Sequence, residues 1–284
     1  MEVGLSGNII VLGSSGLLGG NFYNLYKSKL KLIPSHKDNK SFIDITNFEI
    51  LENFIKLHQP EFIVNCAALA DVDFCEKNKK KSELVNTTAL DFIGKASEKI
   101  RSKIIHISTD HVYDSEGYNN IENVNLKNHY ALTKFNGEKI IQKYNSIVLR
   151  TNFFGNSNNN RMSFTDKIIK QMKKDRKMYL FNDVFFNPLR IQTLADILYQ
   201  IITEKFKKGI FNVGSKNGMS KGEFILKLSK ILNINCTFEE TSVEKIFNNR
   251  PKSMLMDVTK TEKKLDIDFP SLNFELHKEF DSYV

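Results

Sequence analysis

Asn8-Ile9-Ile10-Val11-Leu12 is a short unbroken apolar run rich in branched side chains, and it leads directly into Gly13-Ser14-Ser15-Gly16-Leu17-Leu18-Gly19. A strand buried on both faces reads this way, whereas a half-buried strand alternates. The implied order is strand, glycine turn, helix. Gly13 permits the tight turn, Gly16 lets backbone N–H groups approach a pyrophosphate at the helix N-terminus, and Gly19 lets the helix pack closely on the strand. Plain tight turns use glycine too, so the rest of the chain has to decide between the two readings.

A second strand is expected over 30–33, ending in Pro34-Ser35-His36-Lys37. An acid that would hold ribose hydroxyls usually stands about 20 residues after the first glycine. That acid is absent here. Ser35, His36 and Lys37 suit a 2'-phosphate instead, which favours NADPH over NADH, although Asp38 or a merely solvated loop remains open. Phe42-Ile43-Asp44 reads as a third strand, and Thr46 to Glu49 has capping-box spacing for a helix running to about His58. Asp44 then either meets an adenine ring or complements the helix dipole.

Phe62-Ile63-Val64-Asn65 is the next buried strand, and Cys66-Ala67-Ala68 after it are small enough for backbone to lie against a bound cofactor or simply for close packing. Asp71, Asp73, Cys75 and Glu76 lack histidine and a glycine turn, so no metal is expected. Lys77, Lys79, Lys80 and Lys81 read as a solvated charge run before a helix over 82–99 that carries Asn86.

The strand Lys103-Ile104-Ile105-His106-Ile107 ends at Ser108-Thr109-Asp110-His111-Val112-Tyr113. Open parallel sheets place ligands at the carboxyl ends of their strands, so the Thr109 hydroxyl is positioned to bind a carbonyl oxygen. Downstream, one helical turn separates Tyr130 from Lys134 and puts phenol and ammonium on one face. The cation stabilises phenolate, so Tyr130 can give a proton to an oxygen that receives hydride. Tyr23 and Lys27 repeat the spacing without a Thr109 equivalent and are expected to be structural.

Beyond a strand over 146–150, the polar stretch Asn156-Ser157-Asn158-Asn159-Asn160-Arg161 reads as a loop. A helix over 164–172, a strand over 178–181, a turn at Phe186-Asn187-Pro188, a helix over 193–205 and a strand over 209–213 follow. Ser220 to Glu223 has capping-box spacing before the helical run Phe224, Leu228, Ile231, Leu232. No Pro- or Ser-rich linker divides the chain, so two parts packed around a cleft are expected. Their boundaries are drawn at 1–155 with about 188–214, and 156–187 with 215–284. The 284 residues are 41% hydrophobic and 26% charged, which excludes disorder as the default. The charge of +8 is spread along the chain, favouring an anionic small molecule over nucleic acid. Cys66, Cys75 and Cys236 show neither disulfide nor zinc spacing, and no apolar run spans a membrane, so a cytoplasmic protein without membrane partners is expected.

The Gly13–Gly19 loop, Asn65-Cys66-Ala67-Ala68, Ser108-Thr109-Asp110, Tyr130 with Thr133-Lys134 and Gly137-Glu138, Leu149-Arg150-Thr151 and Arg250-Pro251-Lys252 together resemble the dTDP-4-dehydrorhamnose reductase family of extended short-chain dehydrogenases/reductases. The resemblance implies a Rossmann-type doubly wound parallel sheet with a smaller C-terminal α/β substrate-binding domain. It implies a catalytic triad of Thr109, Tyr130 and Lys134, with hydride passing from NADPH to a 4-keto carbon of a nucleotide-linked 6-deoxy-4-hexulose in surface-polysaccharide biosynthesis. NADH is the alternative cofactor. Cofactor contacts would fall on Gly13, Ser15, Gly16, Leu17, Leu18, Gly19, Ser35, His36, Lys37, Asp44, Ile45, Cys66, Ala67, Ala68 and Asn86, besides Tyr130 and Lys134. Asp110, His111, Asn152, Phe153 and Arg250 would meet substrate, with Arg250 on the diphosphate, and a homodimer is compatible. The family usually has tyrosine at His111, tryptophan at Phe153 and glycine at Ala131, which bears on the identity of the sugar. Another nucleotide-sugar reductase, an epimerase using His111 as a second acid/base, or a non-catalytic NADP-binding regulatory subunit are the alternatives.

Overall fold

The computed structural model describes residues 7–36, 42–156, 162–174 and 177–281. Lys37, Asp38 and the loop residues 157–161, all singled out above, lie outside the described residues. The chain forms two compact units. The first comprises Met1–Thr109, Asn128–Arg150 and Ala195–Phe211, and the second Asp110–Lys127, Thr151–Leu194 and Asn212–Val284.

In chain order the first elements are β1 (Ile9–Leu12), α1 (Leu17–Tyr26), β2 (Leu32–Pro34), α2 (Phe48–His58), β3 (Phe62–Asn65), α3 (Val72–Lys77) and α4 (Lys79–Glu83). A π-helical turn, Leu84–Thr88, joins α4 to α5 (Ala89–Lys99), and β4 (Lys103–Ile107), α6 (His129–Ile141) and β5 (Ser146–Thr151) follow. Five strands pair in parallel, β1 having β2 on one side and β3, β4 and β5 in turn on the other. The chain therefore winds outward from β1 in both directions. Such a reversal opens a crevice at the carboxyl ends of β1 and β3, where the glycine loop and Cys66 stand.

Burial on both faces explains the unbroken apolar runs: Ile9 through Leu12 and Phe62 through Asn65 are all buried. One face carries the core of Ile10, Leu12, Leu51, Ile55, Ile63, Leu90, Ile93, Ile104 and Val148, covered by α2, α5 and α6. On α1, Tyr26 stacks on Tyr199 at 4.5 Å, and its hydroxyl donates to Asp196 at 2.5 Å.

The later elements are β6 (Phe153–Phe154), α7 (Phe164–Met172), β7 (Met178–Phe181), β8 (Phe185–Phe186), β9 (Leu189–Arg190), α8 (Ile191–Thr203) and β10 (Gly209–Val213). Strand β10 completes the central sheet beside β5. Then come β11 (Met219–Ser220), α9 (Lys221–Ile231), β12 (Phe238–Thr241), β13 (Ser253–Met254), α10 (Thr259–Leu265) and α11 (Leu272–Phe280). The second unit holds small sheets, β11-β8-β13, β12-β7 and β6-β9, around an aromatic core. Phe224 lies edge-on to Phe154 at 5.2 Å and to Phe186 at 5.4 Å, an arrangement favoured by ring quadrupoles.

Several sequence expectations are corrected. Phe42-Ile43-Asp44 is not a strand; Phe42 makes a single antiparallel bridge to His36, and Asp44 instead closes a turn by accepting from Thr46 N at 2.9 Å. The cap of α2 is Asn47, which accepts from Ile50 N, because Thr46 is spent on Asp44. Strand β2 starts two residues later than expected, in register Ile9 with Leu32. Phe186 and Leu189 belong to short strands flanking Asn187-Pro188, and α8 starts at Ile191 rather than Thr193. No described helix is long and apolar enough to cross a membrane.

Candidate functional site

The glycine loop is built by steric necessity at two positions. Gly13 has φ +74°, and a Cβ there would lie 2.6 Å from Ala67 N, so only glycine lets the loop after β3 pack against it. At Gly19 a Cβ would meet Gly13 O at 2.5 Å, which brings the first turn of α1 down onto the loop itself rather than onto β1. Gly16 starts α1 and brings no capping side chain to it, with Leu17 and Leu18 following in the first turn. The small residues Cys66 and Ala67 therefore serve the loop–loop contact, and Ala68 beyond them is exposed. Burial pushes the Cys66 thiol up to about 12, so it stays protonated.

Ser35 is buried, and its hydroxyl accepts from Gly13 N at 3.0 Å; Ser14 in turn accepts from His36 N at 3.1 Å. Ser35 thus braces the loop, and of the residues expected at a 2'-phosphate only His36 is half-buried at the strand end among the described residues. Asp44 is exposed and Ile45 is buried in the core, which gives Ile45 a packing role. Asn86, on the π-turn, is 1% exposed; its amide holds Leu69 N and Leu69 O and donates to Thr133 Oγ1 at 3.2 Å. That carboxamide is a brace between the loop after β3 and α6. Gly137 on α6 completes the fit, since a Cβ there would stand 2.2 Å from Asn86 O.

Helix α6 starts at Asn128, whose side chain accepts from Ala131 N at 2.8 Å. It buries Tyr130, Thr133, Lys134 and Glu138, one helical face. Thr109 follows the end of β4 and is buried. Lys134, 2% exposed, donates to Ile107 O at 2.7 Å and faces His106 Nε2 at 3.3 Å. Burial pulls its ammonium down to about 8, opposed by Glu138 and Cys66. Glu138 is held in turn by Arg150 Nη2 at 2.7 Å and by the Ser108 hydroxyl. Tyr23 and Lys27, by contrast, form a surface pair, the ammonium 5.8 Å from the ring centroid.

In the second unit a cavity of about 500 Å³ is walled by Phe164, Ile168, Met178, Phe181, Val184, Ile225 and Phe247, with His111, Lys167, Gln171, Lys221 and Arg250 among its polar lining. The Arg250 guanidinium stands 5.2 Å from the Phe247 centroid, and the Lys221 ammonium 5.8 Å from those of Phe164 and Phe186. Burial and these two cations drive His111 down to about 3, so it is a neutral imidazole, unable to act as a general acid near neutrality. Burial also lowers Lys221, and Asp110 counteracts this. Asp110 accepts from Asn152 Nδ2 at 2.7 Å. Of the expected substrate residues, His111 and Arg250 line the cavity; Asn152 ties to Asp110, and Phe153 pairs with Leu189 in the sheet of β6 and β9.

Residues 7–284 match the family described as the RmlD substrate binding domain. The chain belongs to this family. A probable low-salt glycan biosynthesis reductase, Agl14, of Haloferax volcanii is 25% identical over 285 residues, covering 94% of this chain and 95% of that one. The dTDP-4-dehydrorhamnose reductase of Escherichia coli is 28% identical over 197 residues, 66% of this chain and 64% of the relative. A crystal structure of dTDP-4-dehydrorhamnose reductase from Bacillus anthracis in complex with NADP superposes with TM-score 0.89 at 23% identity, covering 98% of this chain and all of that one, a likeness of fold.

Sequence reasoning passed over Asn65, His106 and Lys221. The signal for the first two was present: a histidine inside Ile104-Ile105-His106-Ile107 and an asparagine ending Phe62-Ile63-Val64 are polar groups in buried strands, which require partners. Lys221 opens α9, which Ser220 caps by accepting from Glu223 N at 3.0 Å, so its sequence signal is that of a helix start.

Proposed function

We propose that the chain is an NADPH-dependent reductase of the 4-keto group of a nucleotide-linked 6-deoxy-4-hexulose, acting in carbohydrate biosynthesis. The observation that carries the reading is Lys134, a buried ammonium one helical turn from Tyr130 and anchored on Ile107 O, the last carbonyl of β4 and two residues before Thr109. The names of the relatives support the same chemistry.

The glycine loop fits a dinucleotide, because Gly13 takes a left-handed φ and the first turn of α1 carries no capping side chain. Gly13, Ser15, Gly16, Leu17 and Leu18 would hold the pyrophosphate, and His36 a 2'-phosphate. When bound, NADPH supplies the hydride. Thr109 donates a hydrogen bond to the carbonyl oxygen, Tyr130 delivers the proton to it, and Lys134 stabilises the resulting phenolate. The cavity of the second unit takes the nucleotide: its rings suit a base, and Arg250 offers a planar donor fork to the diphosphate.

The test is loss of reduced nicotinamide absorbance with NADPH or NADH and dTDP-, GDP-, UDP- and CDP-linked 4-keto-6-deoxy sugars. Turnover of one sugar, faster with NADPH, is expected. Cofactor binding with no sugar reduced would overturn the reductase reading, and a clear preference for NADH would overturn the cofactor assignment.

A further inference from the structure

Three buried side chains of the first unit form a continuous chain of contacts that ends on Lys134. Ala67 N donates to Asn65 Oδ1 at 3.1 Å, which orients the amide and aims Nδ2 at His106 Nδ1, 3.1 Å away. An amide nitrogen only donates, so Nδ1 must accept. His106 is wholly buried, and its environment disfavours the imidazolium through burial and the Lys134 charge. A neutral ring that accepts at Nδ1 carries its proton on Nε2, the atom facing Lys134 Nζ at 3.3 Å. An ammonium has no lone pair to receive that proton, whereas a neutral amine does. Turning the Asn65 amide around only moves the clash, because Nδ2 would then face Ala67 N–H.

We infer that His106, locked by Asn65 as the Nε2–H tautomer, is a positioning residue that sets the proton affinity of Lys134, pointing a donor at its nitrogen so that the amine form is the satisfied one. The other charged or titratable groups around Lys134 are Cys66 from the loop after β3, and Tyr130 and Glu138 on its own helix, with Glu138 neutralised by Arg150 of β5. In the reductase reading, on which this consequence rests, Tyr130 loses a proton at each turnover, and a lysine whose proton is loosely held replaces it readily.

Nitrogen NMR of the whole protein with histidine rings labelled tests the inference without requiring turnover. His106 is expected as a ring protonated at Nε2 and bare at Nδ1, unchanged between about pH 6 and 9. His111→Gln removes the other ring held neutral, so the assignment survives even if His106 variants fail to fold. In Asn65→Asp the carboxylate accepts from the ring, and the tautomer is expected to reverse. The ionisation governing turnover then moves up by about one pH unit, because Nε2 now accepts from the ammonium. A wild-type ring protonated at Nδ1, or one titrating near its ordinary value, overturns the inference. The expected tautomer in a protein that reduces no sugar would leave the network standing and remove the reductase reading alone.

Discussion

The two units hold positive charge in opposite ways. In the first, Lys134 and Arg150 are fixed by directional acceptors: a strand-end carbonyl for one, a carboxylate itself held by Ser108 for the other. In the second, Lys221 and Arg250 lie over aromatic rings at a cavity, and burial first and Arg250 after it disfavour the charge of Lys221. Directional partners preorganise a group for chemistry. Cations gathered on an apolar wall favour an incoming anion, whose charge relieves their repulsion.

The largest effect expected from this contrast is on Tyr130→Phe, which should lower kcat by about 10²–10⁴-fold while fluorescence titration shows NADPH still bound. Equal loss of cofactor affinity would make Tyr130 a binding residue. Next comes Glu138→Gln. It strands Arg150 in the core, with both partners at most 1% exposed, and should cost about 3–5 kcal/mol by urea unfolding. Arg250→Ala tests the other pole: KM for the nucleotide sugar should rise about 10–100-fold with kcat and Tm nearly unchanged. A fall in kcat instead would erase the distinction between the units.

The smallest effect is on pH dependence. The folded value of His111 lies near 3, below its unfolded value near 6.5. The unfolded chain therefore binds the extra proton, and stability is full above about pH 6.5 and declines as pH falls toward 3. His111→Gln should flatten that part of the stability curve. An unchanged slope would show that burial and the cavity's cations do not hold His111 neutral.

How much of this was legible in the sequence varies with the range of the interaction. The glycine loop, strands β1, β3 and β4, and the face joining Tyr130 to Lys134 follow from local pattern, because period and turn chemistry are properties of neighbouring residues. Phe42-Ile43-Asp44 misled for the same reason: its apolar pair looked like a strand, yet Asp44 and Thr46 close a turn on each other. Ser35 and Asn86, expected at a cofactor, are hydrogen-bonded within the protein instead. The direction of their hydrogen bonds, toward Gly13 and toward Leu69 and Thr133, could be known only once distant segments met.

By itself, then, the sequence determined the glycine turn, the buried strands and the shared face of Tyr130 and Lys134, since buried runs and helical spacing need only the chain's own geometry. Tertiary structure decided the states of those groups. A lysine drawn down to about 8, a histidine held neutral near 3 and a cavity with cations at its wall depend on burial and on partners tens of residues away. Desolvation and through-space charge act across distances that sequence order does not record.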